Sequence, residues 1–452
     1  MKILSMPRPK KQQKTGQPAP RRKTSLQTIK GTQDILPDEQ PYWDFVRDTV
    51  RRIAYEYGFG RIDTPILENA AVFERGVGKQ TDIVEKEMFV FKDKSGDAIA
   101  LRPENTAGIV RAYIEHGLAN KPQPLKLFYF GPMFRYDQPQ AGRYRQFHQF
   151  GFEILGSASP ASDAQMILAV NNILIALGLN NFSIKVNSVG CASCRPRYRE
   201  NLISYYEGQT SRLCPHCKKR LKSNPLRLLD CKEEKCQRLA NNAPVLLDSL
   251  CDSCHDHLKE VLEHLDELEI VYNLNPRLVR GLDYYTKTVF EIWPGKGKEE
   301  GGGQSALGGG GRYDNLISEL GGEETPAVGF SCGVERILAQ LSEKKVAPPS
   351  LGKINVFLAQ LGELGRRKAL VLFEEFRQAG IILAESFSRG SLKSQLKVAD
   401  RLDVKITLIL GQKEALEGTI LLRDMETGVQ ELVRQEKIIQ EVKRRLEKEK
   451  RK

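Results

Sequence analysis

The chain has 452 residues, of which 40% are hydrophobic and 28% charged, and its net charge is +12. At about 150 residues per domain this is a chain of roughly three domains, and the composition excludes wholesale disorder or a fibrous chain. No apolar run approaches the roughly 20 residues that span a bilayer, and no apolar h-region follows the basic N-terminus, which sets membrane and secreted readings aside.

The charge is placed at the ends. Residues 1–25 hold eight Lys or Arg and no acid, and residues 443–452 hold seven basic against two acidic residues. The body between them is close to neutral. Basic ends fit a polyanion partner such as RNA, or solvated tails that aid solubility. Pro7, Pro9, Pro18 and Pro20 spoil the amphipathic helix of a transit peptide, so a cytoplasmic location is expected.

Order is expected to begin near Thr28. Trp43, Val46, Val50, Ile53 and Ala54 recur at helical spacing, and Gly58 and Gly60 end that helix before an extended segment, Arg61–Pro65. Met88–Phe91 and Ile99–Leu101 read as a hairpin around Ser95-Gly96-Asp97. Leu125–Phe134 and Phe147–Leu155 read as an antiparallel pair joined by a polar working loop, Tyr136–Gln146. A helix over 163–178 and a strand at Ile184–Val186 follow. Strand signals return at Tyr284–Ile292, then a glycine-rich hairpin over Gly301–Gly311, a helix from Gly333, and a linker at Glu343–Gly352 with Pro348 and Pro349. Beyond it, apolar runs alternate with helical patterns, a small βαβαβ domain.

No Gly-x-x-x-x-Gly-Lys-[Ser/Thr] loop occurs, and Gly308–Gly311 lacks the spacing of a Rossmann turn. A nucleotide would have to be held another way. Arg135 ends an apolar strand, Arg143 and Arg145 follow in the loop, and Arg336 lies in an apolar run; arginine forks grip phosphate oxygens and stay charged when partly buried. Taken singly, each also fits an arginine paired to a nearby acid.

Phe134-Arg135, then Gly142-Arg143-Tyr144-Arg145-Gln146-Phe147-His148-Gln149 with Glu153, resembles motif 2 of the class II aminoacyl-tRNA synthetases. Gly329–Arg336 resembles motif 3, and Gly58–Pro65 resembles motif 1. Leu278-Val279-Arg280-Gly281-Leu282-Asp283-Tyr284-Tyr285, Gly310–Asp314, Lys30–Pro37 and Leu101–Thr106 narrow the resemblance to the histidyl-tRNA synthetases, in consistent order from about residue 28 to 435.

The resemblance implies an α+β fold: an antiparallel six-stranded catalytic sheet with helices, an inserted subdomain, and a C-terminal α/β anticodon-binding domain. The expected divisions are a basic tail (1–27), a first catalytic part (28–186), a Cys-rich insertion (187–262), a second catalytic part (263–345), the anticodon-binding domain (353–435) and a basic C-terminal tail (436–452). It implies ATP with Mg²⁺, L-histidine and histidine tRNA as ligands, and a homodimer through motif 1. By resemblance, Arg135 grips the α-phosphate, Arg143 and Arg336 the polyphosphate, and Arg280 bridges substrate carboxylate and α-phosphate. Glu104, Thr106 and Gln149 would hold the α-amino group, Glu153 one imidazole nitrogen, and Tyr285 with Tyr284 the other. His148 and Cys332 read as structural residues. Gln138 stands where many relatives carry arginine, and Asn105 where many carry glycine. No side-chain base is singled out for transfer to tRNA. The alternative, a histidine-sensing regulatory paralogue of ATP phosphoribosyltransferase, generally lacks the C-terminal domain and loses these arginines.

Eight of the nine cysteines fall in the insertion, as Cys191-x-x-Cys194, Cys214-x-x-Cys217, Cys231-x₄-Cys236 and Cys251-x-x-Cys254. Two such knuckles supply the four thiolates of a structural Zn²⁺ site, so two sites are expected, with the pairing of knuckles open and His216 a spare ligand. Free thiols and disulfides are the other readings; many members of the resembling family lack these cysteines. Because the arginines above lie outside the insertion, metal loss is expected to spare histidine activation more than tRNA charging.

Overall fold

The structure, a computed structural model, describes residues 26–78, 81–138, 142–229, 231, 233–295, 306–349, 354–388 and 390–450. The expected N-terminal tail, apart from Leu26 and Gln27, and part of the glycine-rich hairpin lie outside the described residues. The chain forms two compact units that divide between Pro348 and Pro349.

The first unit contains strands β1 (Gly60–Arg61), β2 (Leu67–Asn69), β3 (Phe89–Lys92), β4 (Ala98–Leu101), β5 (Leu125–Phe134), β6 (Gln146–Leu155), β7 (Phe182–Ser188), β8 (Tyr272–Leu274), β9 (Thr286–Pro294), β10 (Gly308–Arg312) and β11 (Ala327–Gly333). The main sheet has the order β1-β5-β6-β11-β10-β9-β7-β8, and β2-β4-β3 form a small separate sheet. The six central strands are antiparallel, as expected, while β1 and β8 add a parallel pairing at each edge. These edge strands of two and three residues are too short for an alternating pattern to register.

Strand alternation sends Phe150, Phe152 and Ile154 to one face, where they meet Phe128, Phe290, Phe330 and the buried sides of helices Gln40–Glu56, Pro160–Ala176 and Val334–Glu343. The opposite face is of a different kind. Across it β6, β11 and β10 present Gly151, Gly329, Ser331, Gly333, Gly309 and Gly311 in register. The glycines keep this face bare: a Cβ at Gly329 would lie 1.6 Å from the Glu153 carboxylate, and one at Gly309 would meet the Arg280 guanidinium at 2.5 Å. The glycine run is thus a strand of the catalytic sheet.

Two expected boundaries need correction. Position 262 falls inside helix Asp252–Glu267, whose Leu258, Val261 and Leu265 join the main core. The insertion also shares its apolar residues Tyr198, Leu202 and Tyr206 with Leu127, Tyr129 and Tyr284 of the catalytic part, so it has no core of its own. A thin, charge-interrupted segment buries what apolar surface it has against a larger neighbour.

The second unit holds β12 (Val356–Gln360), β13 (Leu383–Glu385), β14 (Ile406–Leu410), β15 (Thr419–Asp424) and β16 (Gln430–Arg434), in the order β13-β12-β14-β15-β16. The first three neighbours are parallel and the last two pairings antiparallel. Helices Gly362–Gln378 and Leu392–Arg401 make the crossovers. Residues 436–452, expected as a tail, instead contain helix Ile438–Lys450, which buries Ile438 and Val442 in this unit's core. On this helix Arg444 and Arg445 pair with Glu441 at 2.6 and 2.7 Å. High charge concealed an amphipathic helix.

Candidate active site

The bare sheet face floors a cavity of about 360 Å³ lined by Glu104, Thr106, Arg135, Arg143, Gln149, Arg280, Tyr284, Tyr285 and Arg336. Residues from widely separated sequence segments are brought together there. Three guanidinium groups converge from different elements. Arg135, just past the end of β5, donates Nε to the Pro103 carbonyl at 2.9 Å and lies over the Phe147 ring. Arg143 pairs with Asp137 at 3.1 Å. Arg336, in the first turn of its helix, donates to the carbonyls of Ala306 at 2.6 Å and Gly142 at 3.4 Å. Burial, reinforced by repulsion from Arg135 and Arg143, pushes the Arg336 pKa down to about 10. Cations crowded against their own repulsion form a site that a polyanion relaxes. Arg280 is paired here with Glu291, and its guanidinium lies over the Tyr285 ring.

Glu104, Thr106, Gln149, Tyr284 and Tyr285 wall the other end of the cavity. Glu104 accepts from the backbone N–H groups of Thr106 and Ala107 at 2.8 and 2.9 Å, at the start of helix Thr106–Glu115. Burial nevertheless holds its carboxyl above the usual range. The Oε1 of Gln149 is buried with no partner among the described residues, an acceptor left for a donor in the cavity. Glu153 does not line the cavity; it lies just beneath, 1% exposed, accepting from Thr106 Oγ1 at 2.8 Å and Tyr313 OH at 2.6 Å. Burial raises its pKa to about 8, against the opposing effect of those two hydrogen bonds. The Tyr284 and Tyr285 rings pack 4.7 Å apart beside it.

The family model for histidyl-tRNA synthetase matches residues 31–337, and the model for the anticodon binding domain matches residues 356–445. The chain belongs to the histidyl-tRNA synthetase family. It is 47% identical to the Histidine--tRNA ligase of Dehalococcoides mccartyi strain 195 over 93% of this chain and 100% of that one. It is 46% identical to that of Desulforamulus reducens over 92% of this chain and 98% of the relative. The structure of apo histidyl-tRNA synthetase from S. aureus superposes with a TM-score of 0.76 at 34% identity, covering 92% of this chain and 99% of that one.

Against the synthetase motifs, several side chains fall elsewhere than the cavity wall. Glu335 accepts from the His148 backbone N–H at 2.8 Å and contacts its Nδ1 at 3.0 Å, so His148 braces the start of the motif 3 helix. Cys332 is buried, which pushes its thiol up to about 12. Asn105 joins a buried network, accepting from Thr64 Oγ1 at 2.6 Å and Arg102 at 3.2 Å. Arg312 is fully buried and bound to Asp163, away from the cavity. Sequence reasoning missed Glu87, Asp137 and Glu291, which also line the cavity. Glu291 alternates with buried Phe290 and Ile292, a pattern that assigns it to the opposite face but does not say what lies there.

A second, larger recess of about 1280 Å³ adjoins the cavity and shares Arg135, Arg143, Arg280 and Tyr285 with it. Its far wall is the insertion. The eight cysteines form two groups there, Cys191, Cys194, Cys251 and Cys254, and Cys214, Cys217, Cys231 and Cys236. The outer knuckles therefore pair with each other, as do the inner two. None of the eight is in a disulfide, and sulfur separations within the groups include 3.7, 3.9 and 3.8 Å. These separations match the tetrahedral edge of about 3.8 Å that Zn–S bonds of about 2.3 Å impose. The ring of His216 stays outside both groups.

Proposed function

We propose that this chain attaches L-histidine to its tRNA in two steps. A histidine carboxylate oxygen attacks the α-phosphorus of ATP, the bond to pyrophosphate breaks, and histidyl-adenylate forms. The terminal ribose hydroxyl of the tRNA then attacks the activated carbonyl and AMP leaves. The observation that carries this reading is one cavity, in a family member, with crowded arginines at one end and buried amide, carboxyl and tyrosine groups at the other. The regulatory alternative is not favoured, because residues 356–445 match an anticodon binding domain. Histidine-dependent exchange of pyrophosphate into ATP, followed by charging of histidine tRNA, tests the reading. No exchange with histidine would overturn it.

In this reading Arg135 holds the α-phosphate, Arg143 and Arg336 the outer phosphates, and Arg280 meets the negative charge that develops between carboxylate and phosphorus. Mg²⁺ accompanies ATP and would supply further charge neutralisation; Glu87, a wall carboxylate close to Arg135 and not paired with Arg280, would help hold it. Glu104 and the unpartnered Gln149 oxygen receive the α-ammonium group, with Thr106 beside them. Glu153 and Tyr285, supported by Tyr284, take the two imidazole nitrogens; a wrong side chain would leave these buried groups unpaired. The larger recess is the place for the tRNA acceptor end, since Lys86, Arg199 and Arg220 extend its positive wall. Exposed Ile66, Leu67, Val90 and Phe91 near motif 1 support a homodimer, and free thiols support a cytoplasmic location.

Glu153→Gln keeps the shape but cannot ionise when a bound imidazole donates to it. Histidine kcat/KM in the exchange assay is expected to fall about 10–100-fold, the loss of a charge-assisted hydrogen bond. Stability should move the other way. The native Glu153 carboxyl keeps its proton up to about 8, well above the ordinary 4.5 of a glutamate. Wild-type stability therefore falls as pH rises through this interval, where only the native state holds the proton. The Gln variant escapes that loss, so its advantage should grow from about pH 5 to pH 8, as measured by denaturant titrations.

Zinc is expected at two ions per chain, one per cysteine group, by elemental analysis of protein purified under reducing conditions. Four thiolates fill each coordination shell, which makes the sites structural. An ordered insertion without metal, judged by proteolysis, would exclude zinc; one ion per chain would leave one group as packed thiols.

Deleting residues 354–452 is expected to abolish preference for the histidine anticodon while leaving pyrophosphate exchange. Deleting residues 1–25 should weaken all tRNAs alike and reduce the salt dependence of binding. Equal loss of anticodon discrimination in both truncations would refute this division of labour.

A further inference from the structure

We infer that the Cys-rich insertion braces the histidine-recognition segment Arg280–Tyr285, and that Arg195 and Arg227 are the positioning residues through which it does so. Arg195 directly follows Cys194 and opens helix Arg195–Glu207. Its Nε donates to the Val189 carbonyl at 3.2 Å, and a terminal nitrogen donates to the carbonyl of Tyr285. One rigid fork thus ties the first cysteine knuckle to the backbone of the tyrosine assigned to imidazole. The same knuckle is laced to the next residues by backbone bonds, Val189 N–H to Lys287 O at 2.7 Å and Lys287 N–H to Gly190 O at 2.9 Å. Gly190 has φ +61°, and a Cβ there would meet the Cys194 Cβ at 2.8 Å, so the knuckle needs glycine to close.

The second hold comes from the stretch enclosed by the inner cysteine group. Arg227 donates to the Gly281 carbonyl at 2.8 Å and pairs with Asp82 at 3.3 Å, and Asn224 donates to Asp283 at 3.2 Å. Both cysteine groups therefore flank a contact to the segment that carries Arg280 and Tyr285. Residues 280–285 contain no helix or strand, and beside the burial of Tyr284 and Tyr285 their other holds are the Asp283 N–H to the Val77 carbonyl at 3.2 Å and the Arg280–Glu291 pair. Releasing either cysteine group is then expected to disturb histidine activation, the reverse of the expectation drawn from sequence.

This inference rests on the assignment of Tyr285 and Arg280 to histidine activation. Its test is pyrophosphate exchange with full-length protein, measuring KM for histidine, KM for ATP and kcat separately. Arg195→Ala is expected to raise KM for histidine about tenfold through misplacement of Tyr285, with KM for ATP within about twofold. Arg227→Ala should chiefly lower kcat, by a similar factor, through Arg280. Arg195→Lys, with one ammonium in place of a fork, should recover part of the loss. Arg238→Ala, an exposed residue paired with Glu234 on the same insertion, is the control expected to match wild type. Zinc content and thermal midpoint are read for every variant. Unchanged histidine KM in a folded Arg195→Ala protein overturns the brace. So does a parallel rise of both KM values with loss of metal, which marks general damage. Tyr285→Phe separates the two readings: if it too leaves histidine KM unchanged, the assignment of the pocket has failed; if it raises KM while Arg195→Ala does not, only the brace has.

Discussion

Arg280→Ala is expected to lower the turnover of histidine-dependent pyrophosphate exchange by about 10²–10³-fold. The attack joins two anions, and charge accumulates on the oxygens between carbon and phosphorus, where the guanidinium is assigned. Arg280 is paired with Glu291, and both side chains are largely buried. The pairing stores the cation in the cavity and keeps it charged. Removing Arg280 has a second consequence. Glu291 is left without its partner, and its negative charge then faces the incoming phosphate. Arg280→Ala combined with Glu291→Gln should therefore recover part of the loss without restoring the catalytic cation. The measurement is kcat at saturating histidine and ATP. Near-normal turnover in the single variant would remove Arg280 from the reaction.

Arg312→Ala is expected to cost about 3–5 kcal/mol of stability, as breaking a buried ion pair typically does. Arg312 and Asp163 are both fully buried. Its Nε donates to Asp163 Oδ2 at 3.1 Å, and its terminal nitrogens reach Ser157 O at 2.7 Å, Ser159 O at 3.1 Å and Asp314 at 3.1 Å. His257 approaches Asp163 at 3.4 Å from the helix that crosses the expected insertion boundary. Arg312 thus fastens β10 to the start of helix Pro160–Ala176, and Asp163 joins that helix to helix Asp252–Glu267. Burial alone would raise the Asp163 carboxyl, but His257 and Arg312 more than offset it and hold it below the usual range. This contribution to stability is present above the carboxyl's unfolded value and is lost as pH falls through its folded value. A denaturant midpoint shift worth less than about 1 kcal/mol would contradict the assignment. Replacing both partners, as in Arg312→Met with Asp163→Leu, should cost much less than removing Arg312 alone.

Arg312 also shows how the two kinds of information divide. In sequence it stands in a motif beside Tyr313 and Asp314, with nothing to say which of the three faces the site. In the fold it alternates away from the cavity, whereas Tyr313 reaches the Glu153 carboxyl. Glu153 itself was legible as a motif residue, but its pattern between Phe152 and Ile154 fits an exposed strand position equally well. Only the arrival of Thr106 and Tyr313 makes it a buried carboxyl with a raised pKa.

By itself, the sequence determined the family motifs and their order, the long central strands, the C-terminal α/β alternation and four cysteine pairs at zinc-like spacing. These are local signals: a side-chain period, a glycine or proline, a fixed offset between ligands. The tertiary structure alone decided which cysteine pairs share a site, that β10 bares the sheet face for a ligand, and that Arg280 waits on Glu291. It also turned the basic C-terminal run into a packed helix and brought Arg195 and Arg227 against the histidine segment. The reason is that periodicity assigns a residue to a face but carries no record of its partner. Tyr285 and Arg195 are 90 positions apart in the chain, and only sheet order and the packing of the insertion bring them into contact.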